Sequence, residues 1–435
     1  MSERARLHVV GAGVAGLAAA LAGMRAGAEV HLHEAAPQAG GRCRTVSPKG
    51  GDEGGFTHDN GTHALLGANP RALALLESIG ARGGWIEPEP DGLPVYDAAT
   101  RRLGRVGLHP LAWLKPDLRP DGLGFADLPR LARLVAPLPD TPIGALFAGR
   151  AIAESFVEPL TVAVLNTPIE IASARRLGRA MRRVLRPGGA RLYVAERGLG
   201  PDLVAPALDA LARGGARIAT GSRLRALDGR DGRASGLVMA DRTIPLGAGD
   251  AVILALPPAE IARLFSGIAV PDAYEPIVNA HFRVAGPARP RFVGLRHALS
   301  HWALARADHV SVTVSAAGSS VADDPEALSA RIWDEVAPAL REAGVAIGEP
   351  GEHRVVKEKR ATIRQAAGFE TPRPRLPFAN LRLAGDWLTP LPATIEAAVI
   401  SGEDAARDLL RGLRPPARAS ARAGRAAADM RGSAP

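Results

Sequence analysis

Gly11, Gly13 and Gly16 follow the short apolar run RLHVV in G-x-G-x-x-G spacing, and Glu34 closes a second apolar run, AEVHLHE. These residue types suit a dinucleotide. Gly11 permits a tight turn, Gly13 lets backbone approach a pyrophosphate, and Gly16 lets a helix pack closely on a strand. The small residues Ala15, Ala18, Ala19 and Ala20 extend that close packing. The helix N-terminus offers free N–H groups and partial positive charge to the phosphates. Glu34 is placed to accept both ribose hydroxyls of an adenosine, each charged hydrogen bond contributing roughly 1.5–3 kcal/mol. A carboxylate there would repel a 2′-phosphate, which leaves NAD or FAD. The triplet Gly40-Gly41-Arg42 decides for FAD. A second glycine turn beyond the ribose acid brings backbone to the far side of the pyrophosphate, and Arg42 can neutralise phosphate or face the flavin.

The elements that must position these groups read as strand, turn, helix and strand over residues 6–34. Val30 and Leu32 alternate inward on the second strand. The remaining composition is that of a globular chain of 435 residues, long enough for two or three domains. The net charge of +9 suggests a polyanionic partner, but residues 411–435 hold six arginines and one aspartate. The excess therefore sits largely in a Pro-, Ala- and Arg-rich tail over 413–435, expected to be disordered. That tail is either a foothold on anionic lipid or simply solvated. With aromatics at 4%, a nucleic-acid reader built on stacking is excluded. The single cysteine, Cys43, rules out an intrachain disulfide and fits a reducing, cytoplasmic compartment. Residues 1–23 imitate an export signal, yet cleavage there would remove the glycine turn. No segment has the ~20 uninterrupted apolar residues of a membrane span.

Together with DAVILALPP (250–258) and NLRLAGDWLTPLPATIEAAVISGEDAA (380–406), these motifs resemble the amine-oxidase and phytoene-desaturase superfamily of flavoenzymes. The resemblance implies an α/β fold: a Rossmann-like FAD-binding domain with a discontinuous α+β substrate domain. It assigns residues 1–84, 195–267 and 355–412 to FAD and 85–194 and 268–354 to substrate. It implies that Gly385 and Asp386 end a strand at the ribityl or pyrophosphate region. A helix starting near Thr394 and Ile395 would aim its N-terminus at the flavin's pyrimidine oxygen. Leu224 would hold the adenine through its backbone. Residues 200–229 read as helix, strand and turn, and 233–247 as a small meander. HVSVTVSA reads as a strand with Val310, Val312 and Val314 on one face, and DDPEALSARIWDEVAPALREAG as a capped amphipathic helix.

Three stretches narrow the resemblance: DNGTHALLGANPRAL (59–73), EPLTVAVLNTPIEIASARRL (158–177) and RVVKEKRATIRQ (354–365). They look like the squalene-associated FAD-dependent desaturases, the hydroxysqualene dehydroxylases. That implies a hydrophobic isoprenoid substrate, hydride delivery from reduced FAD, loss of an allylic hydroxyl as water, and a separate reductant or reductase. A lipid-resident substrate also implies peripheral contact with the inner face of the cytoplasmic membrane. His63, after Gly61 in a loop near the flavin, is the candidate acid for the leaving hydroxyl. A histidine satisfied by local backbone is the alternative. Asp59 and Asn60 are expected to hold the turn, Glu396 to cap or touch cofactor, and Cys43 to pack. His297 and His301 lack a third ligand, so no metal site is assigned. Competing activities are an oxidative desaturase of a carotenoid-like polyene and a non-catalytic isoprenoid binder. The intact LAGDW and LPATIEAAV segments weigh against the binder.

Overall fold

The computed structural model describes residues 5–47, 56–136 and 138–413. The Arg-rich tail lies, from residue 414 on, outside the described residues. A five-stranded parallel sheet runs in the order Arg217–Ala219, Glu29–His33, Arg6–Val10, Ala251–Leu254, Leu381–Leu383. Val252, Ile253 and Leu254 are fully buried, as a parallel sheet covered on both faces requires, while the neighbouring strands Arg6–Val10 and Glu29–His33 bury His8 and His33 among their apolar residues.

On one face lie the helices Val14–Arg25 and Ile395–Leu413. Their alanines and glycines allow unusually close contact. A Cβ at Gly402 would collide with the Ala15 carbonyl, and one at Gly23 with the Leu7 side chain. The other face is covered by a three-stranded meander, Leu224–Arg230, Arg233–Met239 and Thr243–Pro245, through Leu237 and Met239.

The second unit is a seven-stranded sheet ordered His353–Ile363, Tyr274–Arg283, His309–Val314, Trp302–Ala305, Arg291–Arg296, Leu93–Asp97, Arg102–Val106. Helix Pro325–Glu342 packs on it, started by Asp324, whose carboxylate accepts from the Glu326 and Ala327 N–H groups at 3.1 and 3.0 Å. Alternation in HVSVTVSA predicts a half-buried strand; instead both faces are buried. Val310, Val312 and Val314 enter the core with that helix. On the opposite face Ser311 meets His281 at 2.8 Å and Thr313 donates to Asn279 at 2.8 Å. The helical segments between residues 128 and 184 gather around Phe147, Ile152, Leu165 and Leu177.

Two expected boundaries shift. Residues 355–363, assigned to the FAD domain, pair with Tyr274–Arg283 and complete the second sheet. Residues 85–86 and 192–194, assigned to the substrate domain, pair with or beside Ala64–Leu66, and Trp85 and Tyr193 join the core of the first unit. The cause is that edge strands are chosen by hydrogen-bonding partners distant in sequence, which local composition does not reveal. The strands Leu93–Asp97 and Arg102–Val106 were likewise not anticipated within the first insertion.

Candidate active site

The two glycine turns are one structure. Gly11 adopts φ +101 and a Cβ there would collide with the Ala255 carbonyl, while a Cβ at Gly16 would collide with the Gly11 carbonyl. Gly40, at φ +110, donates its N–H to the Ala12 carbonyl (2.8 Å) and bridges Gly13. A Cβ at Gly13 would meet nothing within 4 Å, so beside that residue the cradle opens into free space. Turn-forming glycines, a helix N-terminus and an open side fit the pyrophosphate of FAD.

Glu34 is held in place by the cradle itself. Its two carboxylate oxygens accept from the Ala12 and Ala36 N–H groups at 2.7 and 2.8 Å. Each oxygen keeps lone-pair capacity for a ribose hydroxyl. The Ser222 N–H donates to the Glu34 carbonyl (2.8 Å), which brings the start of strand Leu224–Arg230 to the same end of the cradle. Leu224 is buried there, and its carbonyl already accepts from Arg263 at 3.0 Å.

At the other end, Arg42 and Asp386 meet across 344 residues of sequence. The Arg42 guanidinium donates to the Asp386 carboxylate at 2.8 Å and to the Ala361 carbonyl. Asp386 raises the arginine pKa above its ordinary value. Both residues were assigned to the cofactor separately; their ion pair was not foreseen. It joins the second glycine turn, the strand of the RVVKEKRATIRQ motif and the Gly385-Asp386 turn in one place. Gly385 is itself tied down by the Ser401 hydroxyl, which accepts its N–H at 3.0 Å.

His63 lies in the same electrostatic neighbourhood. Its Nδ1 is 3.1 Å from the Gly61 carbonyl, so Nδ1 carries the proton and a neutral ring presents Nε2 as an acceptor. Burial pushes its pKa below the ordinary value. The Gly61 carbonyl opposes that shift, Arg42 adds to it, and Asp59 and Asp386 act upward. The ring is therefore neutral near pH 7. Thr62 Oγ1 next to it is buried with no hydrogen-bond partner among the described residues, a polar atom suited to a ligand. Asp59 and Asn60 hold this loop as expected. Asp59 accepts from Thr45 (2.7 Å) and the Leu199 N–H (2.9 Å), and Asn60 from Arg44 (3.1 Å).

Helix Ile395–Leu413 begins immediately after Thr394, whose carbonyl accepts the Ala398 N–H. Glu396 caps the first turn of helix Pro70–Ser78. It is buried between the Ala72 N–H (2.8 Å) and Arg183 (2.9 Å), with burial raising its pKa. Cys43 is a packed thiol, pushed by burial up to about 12. His297 pairs with Asp97 at 2.9 Å, and His301 accepts the Ser315 N–H at 3.1 Å.

Three residues that sequence reading passed over position this site. Arg176 is buried and donates to the carbonyls of Leu391 (2.8 Å) and Thr389 (3.4 Å) and to Thr371 Oγ1 (3.0 Å), its guanidinium stacked 4.8 Å over Phe369. It clamps the loop that leads into helix Ile395–Leu413. In so arginine-rich a chain, one more arginine carried no signal. Gln365 spans the same junction, accepting the Ala393 N–H (2.9 Å) and donating to the Leu165 carbonyl (2.8 Å). Asn166, at φ +47, donates to the Glu275 carbonyl and Thr362 and accepts the Ala316 N–H. Asparagine tolerates that left-handed backbone better than most residues. The LNTP and RATIRQ motifs are thus two halves of one joint.

Residues 14–410 match the family described as flavin containing amine oxidoreductase. The hydroxysqualene dehydroxylase of Rhodopseudomonas palustris is 36% identical over 92% of this chain and 97% of its own. That of Zymomonas mobilis is 34% identical over the same shares. Among solved structures, an oxidoreductase from Methanosarcina mazei superposes with TM-score 0.69 at 17% identity, covering 92% of this chain and 99% of that one. Cyclohexylamine oxidase from Brevibacterium oxydans superposes with TM-score 0.65 at 15% identity, covering 94% and 100%. With its double glycine cradle, its Arg42–Asp386 closure and these relatives, the chain belongs to the flavin-containing amine oxidoreductases and, within them, to the hydroxysqualene dehydroxylases.

Proposed function

We propose that this protein reductively removes the hydroxyl of hydroxysqualene to give squalene. The observation that carries the reading is the 34–36% identity to three hydroxysqualene dehydroxylases over 92% of the chain. FAD, bound in its reduced form, supplies the hydride that replaces the hydroxyl, which leaves as water with one added proton.

The chain's own residues do the rest. Gly11, Gly13, Gly16, Gly41 and the helix N-terminus hold the pyrophosphate, Glu34 the ribose, and Leu224 the adenine edge. Arg42, Gly385 and Asp386 hold the ribityl and flavin end, and Thr394 and Ile395 present backbone N–H groups to the pyrimidine oxygen. The N-terminal charge of that helix favours the electron-rich, reduced form. His63 orders the leaving hydroxyl through Nε2. Held neutral by burial, it delivers a proton only after taking one up, so turnover should rise toward acidic pH until stability fails.

Net reduction requires an external reductant, and a single dinucleotide fingerprint leaves that to a separate reductase. No helix of the described residues is long and apolar enough to cross a membrane. A lipid-borne hydrocarbon then calls for a peripheral enzyme at the cytoplasmic face. The test is anaerobic. Reduced, flavin-loaded protein is mixed with hydroxysqualene, and reoxidation of the flavin is followed together with squalene by mass spectrometry. Coupled reoxidation and squalene formation is the expected result; flavin that stays reduced overturns it.

A further inference from the structure

Large apolar side chains left in water are concentrated in one part of the described chain. Leu111, Leu114, Phe125, Leu128 and Leu138 come from residues 111–138, and Leu185 ends helix Ala174–Val184. Among the described residues, only Ile171 and Ile218 of this kind lie elsewhere. Phe125 is 93% exposed, Leu114 78% and Leu111 70%. Exposed leucines are ordinary when scattered; several together on adjoining elements indicate contact with an apolar phase.

These elements adjoin one another. His109 reaches the Leu185 carbonyl (3.4 Å) and Arg182 donates to the Val135 carbonyl (2.6 Å). Trp113 packs edge-on against Phe156, ring centres 5.3 Å apart, in the same apolar cluster as Leu134. The base of the surface is therefore fixed in the protein core while its tips stay in solvent. Helix Leu128–Val135 shows the division within one element: Leu134 is buried, Leu128 and Arg133 exposed.

The charge around the tips has one predominant sign. Lys115, Arg119, Arg133, Arg182 and Arg186 are exposed. The exposed acids of the same segments are Asp117 and Asp121, and Asp121 is engaged by Arg296 at 2.6 Å. Exposed apolar side chains and exposed cations on the same segments complement an anionic bilayer surface, with its phosphates over an acyl boundary.

We propose that this surface docks the enzyme on an anionic phospholipid bilayer, with Phe125, Leu114 and Leu111 entering the acyl boundary and the basic side chains meeting headgroup phosphates. The choice of a bilayer over a protein partner rests on the hydrocarbon substrate proposed above. It assigns docking to the folded body of the molecule, not to its arginine-rich end.

The test is flotation of the full, flavin-loaded chain with phosphatidylcholine vesicles, with and without phosphatidylglycerol. The protein should float with the anionic vesicles, less well in high salt. Leu114→Glu with Phe125→Glu should weaken binding about tenfold or more, since both apolar anchors are lost. Flavin content and turnover of detergent-dispersed substrate should be retained. A chain lacking residues 414–435 should still float. Wild-type flotation by the double variant overturns the proposal, as does loss of flotation on removing the tail alone. Failure to float, with dimers that the double variant disperses, overturns it in favour of self-association. If flotation behaves as expected but no form turns over substrate in detergent, the docking surface stands and the substrate assignment fails.

Discussion

The cofactor cradle and the joint above it are held by opposite means. The cradle is backbone against backbone. Gly40 donates to Ala12, Gly11 donates to the His33 carbonyl at 2.7 Å, and small residues bring helices Val14–Arg25 and Ile395–Leu413 together. The joint is side chain against backbone over long sequence separations, through Asn166, Arg176 and Gln365. A backbone device tolerates no added atom at its close contacts, Gly11 and Gly16, but depends little on side-chain chemistry. A side-chain device depends on each donor and acceptor it supplies.

The sharpest way to break the contrast is Gly16→Val. Its Cβ would collide with the Gly11 carbonyl, so the turn must open. We expect protein without flavin, read from the visible absorbance of the purified chain, and loss of folded yield. A variant that binds flavin at wild-type stoichiometry would remove close packing as the basis of the cradle.

Next in size is an acid response beneath the parallel sheet. His8 and His33 stand on adjacent strands, Nδ1 to Nε2 3.4 Å apart, with His31 beside them. Burial is the main cause that pushes His8 down to about 3 and His33 to about 4, neighbouring cations adding to it. Both are neutral in the folded protein, while the unfolded chain takes up their protons below its ordinary histidine value. Stability from these groups is therefore full above about pH 6.5 and falls as pH drops toward the folded values, each depressed unit being worth about 1.4 kcal/mol. His8→Asn should flatten the stability profile between about pH 6.5 and 4 in denaturant titrations. An unchanged slope would locate the acid response elsewhere.

Smaller again is Arg176→Met, which leaves the carbonyls of Leu391 and Thr389 and the Thr371 hydroxyl without that donor. It should cost about 2–3 kcal/mol. Flavin should remain bound, and the rate of hydride transfer should fall in single-turnover measurements because the loop into helix Ile395–Leu413, proposed to face the flavin, is released. The smallest change is Asp324→Ala, removing a helix cap on the second sheet for about 1 kcal/mol, with flavin stoichiometry unchanged. If this variant lost flavin, the two regions would not be separable in the way their bonding suggests.

The same contrast explains what could be read in advance. Gly11, Gly13, Gly16 and Glu34 act through local backbone geometry, so spacing alone announces them. The capped helix at Asp324 and the meander were legible for the same reason. A capping role for Glu396 was legible, but not which helix it caps, because its partners, Ala72 in the first turn of helix Pro70–Ser78 and Arg183, come from two other segments. Residues 355–363, grouped with the cofactor unit by sequence, hydrogen-bond along Tyr274–Arg283, a partner distant in the chain that local composition does not announce. The shared face of Val310, Val312 and Val314 was legible from alternation, whereas the burial of Ser311 and Thr313 on the opposite face, against His281 and Asn279, was not.

By itself, the sequence determined the α/β cofactor unit, its FAD and its family, because tight turns and close helix packing demand glycine at set intervals whatever surrounds them. Tertiary structure decided the Arg42–Asp386 pair, the Arg176 clamp, the neutral state of His63 and the exposed apolar surface around Phe125. Each of these depends on burial and on distance between residues far apart in the chain, and neither quantity is a property of the residues in order.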